Sequence, residues 1–240
     1  MQTTPSARDK IIVALDVPTS AAALALVEEL GESVRFYKIG LQLFTKTGPG
    51  LVTEIRNSGA RVFLDLKFHD IPNTVEHAVR SACDLGLEMM TIHLAGGARM
   101  IRAAAAGAAG SSAIILGVTV LTSMSRGTLR ELGISAAVED QVLRLARLAV
   151  ENGLSGVVAS PLEISLLRQL FGAALTIVTP GIRPSWAESN DQQRTLTPAQ
   201  AARAGADYLV IGRPITGHAS PREAVARIIA EMETGEEPAV

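Results

Sequence analysis

The sequence predicts an α/β fold, a single-domain (β/α)8 TIM barrel spanning residues 1–240, and three observations predict it. Eight short apolar runs recur along the chain, each followed by a longer helical pattern. The runs are near-continuously apolar rather than alternating, as in parallel strands buried on both faces. No Gly-x-Gly-x-x-Gly fingerprint follows the first run, and a doubly wound sheet seldom needs eight strands in such regular alternation. Eight strand–helix units in 240 residues is the count of the barrel. No linker-like segment divides the chain.

The strands are expected at 11–16 (IIVALD), 35–40 (RFYKIG), 61–67 (RVFLDLK) and 89–94 (MMTIHL). Four more are expected at 113–120 (AIILGVTV), 156–160 (GVVAS), 174–180 (ALTIVTP) and 208–213 (YLVIGR). Thr19-Ser20 opens the Ala-rich helix that ends at Gly31, and Pro161 and Pro198 sit at helix starts. Gly59, Gly86 and Gly205 close helices just before the next strand. The uncharged stretch from Ala103 to Ser125 resembles a membrane span only superficially. Gly107, Gly110, Ser111 and Ser112 interrupt it, so it reads as a helix end, a turn and a buried strand. The N-terminal segment MQTTPSARDK has no apolar signal core.

Composition removes several classes of function. Hydrophobic residues are 48% and charged residues 19%, which excludes a disordered chain. Aromatics at 3% supply no stacking platform for single-stranded nucleic acid, and a net charge of -2 gives no basic field for a duplex. The expected protein binds neither nucleic acid nor membrane. The single cysteine, Cys83, permits no intrachain disulfide and points to a reducing, cytoplasmic setting. It falls on a stripe with Val75, Val79 and Ala82, as a core thiol would.

In such a barrel, chemistry gathers at the carboxyl ends of the strands and in the loops after them. Those positions hold Asp16, Lys38, Asp65, Lys67, Asp70, His93, Thr122 and Ser123, then Pro180, Gly181, Arg183, Gly212 and Arg213. Asp65 and Lys67 stand two apart on one strand, so their side chains leave the same face, and Lys38 takes the matching place on the neighbouring strand. Charges at a barrel mouth incur desolvation and persist when paired or when they act. An ion-pair network that merely closes the barrel is the bland alternative, but one pair would suffice for closure. Pro72 prefers the first helical position, which makes Ile71 the cap and leaves Asp70 available, although Asn73 with Glu76 is a second cap candidate. A divalent metal among Asp16, Asp65, Asp70 and His93 would be repelled by Lys38 and Lys67, and no histidine pair has ligand spacing. No metal is therefore expected. His69 reads as a supporting residue.

A second cluster lies near the end of the chain. The polar stretch 181–197 (GIRPSWAESNDQQRTLT) is long enough to be a functional loop. The last strand ends in Gly212-Arg213-Pro214, and the loops after strands seven and eight form the recurrent phosphate site of these barrels. Arg213 supplies a fork for phosphate, with Arg183 or Gln192 able to close from the loop. Surface arginines on a solvated loop are the alternative. A phosphorylated small molecule is the inferred substrate.

The segment DLKFHDIPNTV at 65–75 closely resembles the signature of orotidine 5′-phosphate decarboxylases. The resemblance extends to LDVP at 15–18, YKIG at 37–40, TPGIRP at 179–184 and VIGRP at 210–214, in family order and spacing. It implies a cofactor-free lyase that converts orotidine 5′-monophosphate to uridine 5′-monophosphate and CO2, the last step of de novo UMP synthesis, in a homodimer with sites at the interface. Lys67 would protonate C6 of the pyrimidine, and Asp65 would lie near the leaving carboxylate. Asp16 and Lys38 would contact ribose hydroxyls, with Lys38 also holding Asp65. Asp70 and Thr74 would come from the partner subunit, and Ile71 between them joins the substrate-binding set. Thr122, Ser123 and Pro180 would lie beside the pyrimidine, and Arg183, Gln192, Gly212 and Arg213 at the phosphate, with the active-site loop 181–197 folding over the nucleotide.

Two other functions compete with this one. Metal-dependent sugar-phosphate decarboxylases or synthases share the Asp-x-Lys-x-x-Asp element, but they place a metal-binding glutamate where this chain has Lys38. A non-catalytic nucleotide-binding barrel would have little reason to keep Lys67 among carboxylates.

Overall fold

A computed structural model of the chain describes residues 6–187 and 195–235. Eight parallel strands close into a barrel in sequence order. They are β1 (Ile11–Ala14), β2 (Phe36–Gly40), β3 (Arg61–Phe68), β4 (Met89–His93), β5 (Ile114–Val118), β6 (Gly156–Val158), β7 (Thr176–Thr179) and β8 (Tyr208–Ile211). The closing seam pairs Ile11 with Leu209, Ile12 with Val210 and Val13 with Ile211. All eight expected strands are present. Most stop one to two residues short of the expected carboxyl end, because there the chain leaves the ladder to build the mouth of the barrel.

Two-residue periodicity sorts the strand side chains between two compartments. Ile12, Ala14, Phe36, Phe63, Met89, Leu116, Val178 and Val210 fill the barrel interior. Their neighbours, such as Ile11, Val13, Tyr37, Ile39, Val62 and Leu64, pack outward against the helices. Arg61 lies 4.4 Å over the Phe36 ring and Tyr208 meets that ring edge-on, which stacks polar and aromatic groups at the amino-terminal end. The inward-facing parity of the strands reaches Lys38 and Asp65 within β2 and β3 and, continued past the carboxyl ends of β1, β7 and β8, Asp16, Pro180 and Gly212. The same alternation that builds the core therefore aims these residues into one mouth.

The helices follow their sequence signals. Thr19 caps Ser20–Leu30 by accepting from the Ala22 N–H, and Gly31 closes it. Thr197 and Gln200 form a capping box at Pro198–Ala204. The helix Pro72–Cys83 starts with Ile71 as its cap residue and Pro72 at the first position, so the Asn73 alternative is discarded. Val75, Val79 and Ala82 are buried on that helix, with Cys83 partly buried against the same core. The uncharged stretch resolves into the helix Gly97–Gly107, a turn and β5, and no helix among the described residues is long and apolar enough to cross a membrane.

Candidate active site

The mouth of the barrel holds four charges in an alternating row. Lys38 Nζ lies 3.1 Å from Asp16 Oδ1 and 3.7 Å from Asp65 Oδ2, and Lys67 Nζ lies 2.8 Å from Asp65 Oδ1. Side-chain exposure is 59% for Asp16, 10% for Lys38, 15% for Asp65 and 28% for Lys67, so the middle of the row is its most buried part. Removing one partner of so buried a pair would strand its mate, a loss of roughly 3–5 kcal/mol in comparable cases.

The backbone at the centre of the row is unusual. Lys67 takes φ 52, and it is the one residue other than glycine with positive φ among the described residues. For a lysine this conformation costs about 1–3 kcal/mol and persists only where the surroundings over-determine it. The β3–β4 ladder shifts register here, with Leu64 paired to Met90 and Phe68 to Ile92. The simple alternation expected for Asp65 and Lys67 therefore does not describe this stretch; a bulge brings Lys67 back onto Asp65. On the other side, Lys38 pairs in register with Phe63 and Gly40 with Asp65. Lys38 thus starts two residues lower in the barrel than Asp65 and reaches up to it, a correction to the matching position expected from sequence.

A cavity of about 450 Å³ opens beside this row. Ala14, Phe63, Val118, Val158 and Val210 form its apolar part, and Asp16, Lys38, Asp65 and Lys67 line its charged side. Thr122, Pro180, Gly181, Arg183, Gly212 and Arg213 complete the wall, so both clusters read from sequence share one cavity. Ser123 is exposed beside Thr122 and does not line it. Arg213 opens the short helix Arg213–Thr216 directly after β8. The base of the 181–197 segment is tied by a bridge between Ile182 and Leu196 and by the Arg183 N–H donating to the Leu196 carbonyl at 3.0 Å. Gln192, with residues 188–194, lies outside the described residues.

Asp70, Ile71 and Thr74 take a different place. All three are exposed, Ile71 to 66%, and none lines the cavity of its own chain. Asp70 Oδ1 accepts from the Ile71 N–H at 2.6 Å. His69 sits near His93, with ring centroids 5.5 Å apart. Burial above all, then the nearby His69 and Lys67 charges, holds His93 below the ordinary imidazole value against the opposing pull of Asp65. Among the described residues no three His, Cys, Asp or Glu side chains gather as a metal site.

Two residues of the site escape a reading by charge and motif. Thr91 on β4 is fully buried and hydrogen-bonded to both Asp65 and the Lys67 backbone. Gly40 leaves room for the Lys38 ammonium, since a Cβ there would stand 2.9 Å from Lys38 Nζ. Period-two reading marks Thr91 as an inward residue, but its hydrogen bonds depend on a register shift that sequence does not announce.

Comparison with known proteins places relatives around this arrangement. Residues 9–228 match the family described as Orotidine 5′-phosphate decarboxylase / HUMPS family. The orotidine 5′-phosphate decarboxylase of Syntrophotalea carbinolica is 52% identical, over 94% of this chain and 96% of the relative. That of Moorella thermoacetica is 51% identical over 95% and 93%. The crystal structure of orotidine 5′-phosphate decarboxylase from Lactobacillus acidophilus superposes with a TM-score of 0.83 at 36% identity, covering 93% of this chain and 99% of that one.

Proposed function

From the premise that the chain belongs to the orotidine 5′-phosphate decarboxylase / HUMPS family, we propose that it is the decarboxylase, converting orotidine 5′-monophosphate to uridine 5′-monophosphate and CO2. The observation that carries this reading is the row Asp16–Lys38–Asp65–Lys67 in one cavity with Arg213. The sugar-phosphate branch needs a carboxylate for its metal where Lys38 stands, and here Lys38 contacts both neighbouring carboxylates.

Breaking the bond from C6 to the carboxylate releases CO2 and leaves the electron pair on C6, in the plane of the ring. The pyrimidine π system cannot absorb that pair by resonance. Lys67 is the proton donor: its ammonium stabilises the developing carbanion and transfers a proton to C6, and solvent restores the proton afterwards. A fixed ammonium gains value as water is excluded, and the apolar side of the cavity serves that exclusion. Asp65 faces the departing carboxylate and orients Lys67 through the 2.8 Å contact. Lys38 and Asp16 bind the ribose hydroxyls, with Thr122 and Pro180 beside the base; Ser123, outside the cavity wall in this structure, would have to turn inward to join them. Arg213, Gly212 and Arg183 bind the phosphate, and binding energy there holds the reacting end against Asp65. Gln192 belongs to the same phosphate set.

The working unit is a homodimer in the cytoplasm, in which Asp70, Ile71 and Thr74 complete the partner's site. Their exposure outside their own cavity supports this reading, and so does the large exposed side chain of Ile71. The reaction is tested by following the loss of orotidine monophosphate absorbance with purified protein, with and without EDTA. Conversion to UMP undiminished by chelation supports the decarboxylase. Activity that EDTA abolishes and a divalent ion restores would assign the chain to the metal-dependent branch.

A further inference from the structure

Strand β4 contributes one uncharged polar residue to the charged row. Thr91 is 0% exposed, and its hydroxyl accepts from the Lys67 backbone N–H at 2.8 Å while donating to Asp65 Oδ1 at 3.0 Å. The same Oδ1 accepts from Lys67 Nζ at 2.8 Å. One hydroxyl thus closes a ring that runs through the backbone of Lys67, its side chain and the carboxylate between them. The Lys67 N–H occupies a lone pair of the hydroxyl oxygen, so its single hydrogen is committed to Oδ1. Asp65 Oδ2 is left on the side of Lys38, 3.7 Å away.

The strand ladder explains why a side chain has to do this. Between the pairs Leu64–Met90 and Phe68–Ile92, the segment Asp65-Leu66-Lys67 spans the interval that Thr91 alone spans opposite. One residue cannot offer ladder partners to three, and the Lys67 N–H turns to the Thr91 hydroxyl instead. A part-buried N–H gains from such a partner, and a lysine at φ 52 needs its surroundings to hold it there.

We propose that Thr91 is a positioning residue for the decarboxylation, whose hydroxyl locks this bulge so that the Lys67 ammonium and the Asp65 carboxylate keep their mutual geometry around the substrate. The proposal rests on Lys67 being the proton donor. Thr91 touches no substrate atom in this account; it acts through Lys67 and Asp65. Its loss should therefore lower turnover while leaving phosphate and ribose contacts intact.

The test compares Thr91→Val, Thr91→Ser and Lys67→Ala with the unmodified protein for kcat, KM and the affinity of UMP. Valine keeps the volume and removes both hydrogen bonds; serine keeps the hydroxyl. Thr91→Val should lose about 10- to 100-fold in kcat, the effect of a misplacement on the order of 1 Å, with KM and UMP affinity within about threefold. Thr91→Ser should keep kcat within about threefold of the unmodified protein by the same reasoning. A Thr91→Val kcat within that threefold range, or equal losses in valine and serine, would overturn the proposal. Where Thr91→Val does not fold, Thr91→Cys replaces it, offering a weakly bonding thiol. A kcat well below that of Thr91→Ser supports the proposal, and a kcat equal to it overturns it. Lys67→Ala keeps the two ideas apart. Full activity without Lys67 would refute the proton-donor assignment, whereas an inactive Lys67→Ala beside a normal Thr91→Val refutes the role of Thr91 alone.

Discussion

Lys67 Nζ meets Asp65 Oδ1 at 2.8 Å within a strand segment whose ladder to β4 is interrupted between Leu64 and Phe68. The contact is thus not a by-product of regular sheet geometry. It is made by a left-handed lysine inside a bulge, a conformation that persists only where its surroundings hold it. The strained backbone thus falls at the lysine to which the proposed mechanism assigns the proton.

Arg213→Ala should reduce kcat/KM for orotidine 5′-monophosphate by about 100-fold while changing that for the nucleoside orotidine by less than about threefold. Arg213 lines the same cavity as Lys67, directly after β8, where the proposed reading puts the phosphate. Steady-state kinetics on both substrates checks this. Equal losses would mean that Arg213 shapes the barrel rather than holding the substrate.

The barrel and both clusters were legible because they rest on local signals. Apolar β-branched runs, Pro at helix starts and Gly at helix ends mark the eight units, and charges at strand ends mark the mouth. The positions of Asp16, Lys38, Asp65 and Lys67 follow from which residues end each strand. Their geometry was less legible. Lys38 lies opposite Phe63 rather than Asp65, because register between neighbouring strands is set by packing and loops far from either residue. The roles of Thr91 and Gly40 were invisible for related reasons: Thr91 depends on where the Lys67 backbone arrives from β3, and Gly40 on how the Lys38 side chain of its own strand folds toward the carboxylates. The exposure of Asp70, Ile71 and Thr74 is a tertiary feature that no local signal announces.

The pH dependence of stability should carry a signature of His93. Its imidazole is held below the ordinary value of 6.5 in the folded chain, chiefly by burial. Above pH 6.5 both folded and unfolded chains carry it neutral, and no penalty applies. As pH falls from there through the lower folded value, the unfolded chain takes up the proton first, and stability is lost. Denaturant melts at pH 8 and pH 5.5 should show a smaller drop for His93→Gln than for the unmodified protein. Identical drops would mean that His93 is not held neutral by the fold.

The shared site can be tested by mixing. Lys67→Ala and Asp70→Ala homodimers should each be almost inactive, since every site lacks one member. After subunit exchange, a hybrid dimer has one site with both substitutions and one with neither. Random pairing of equal amounts makes about half the dimers hybrid and restores roughly a quarter of the wild-type sites. No recovery, once exchange is verified by a tag on one subunit, would return Asp70 to its own chain and leave the barrel and the Lys67 assignment standing.

The central claim is that the Lys67 ammonium, fixed against Asp65, supplies the proton and the stabilisation for decarboxylation. Single-turnover conversion of orotidine 5′-monophosphate by Lys67→Ala, at protein concentrations that saturate the nucleotide, tests it most directly. The account predicts a rate lower by about 100-fold or more, the scale of losing one charge-stabilising donor, with UMP still bound through Arg213 and the ribose contacts. A rate near that of the unmodified protein would contradict it.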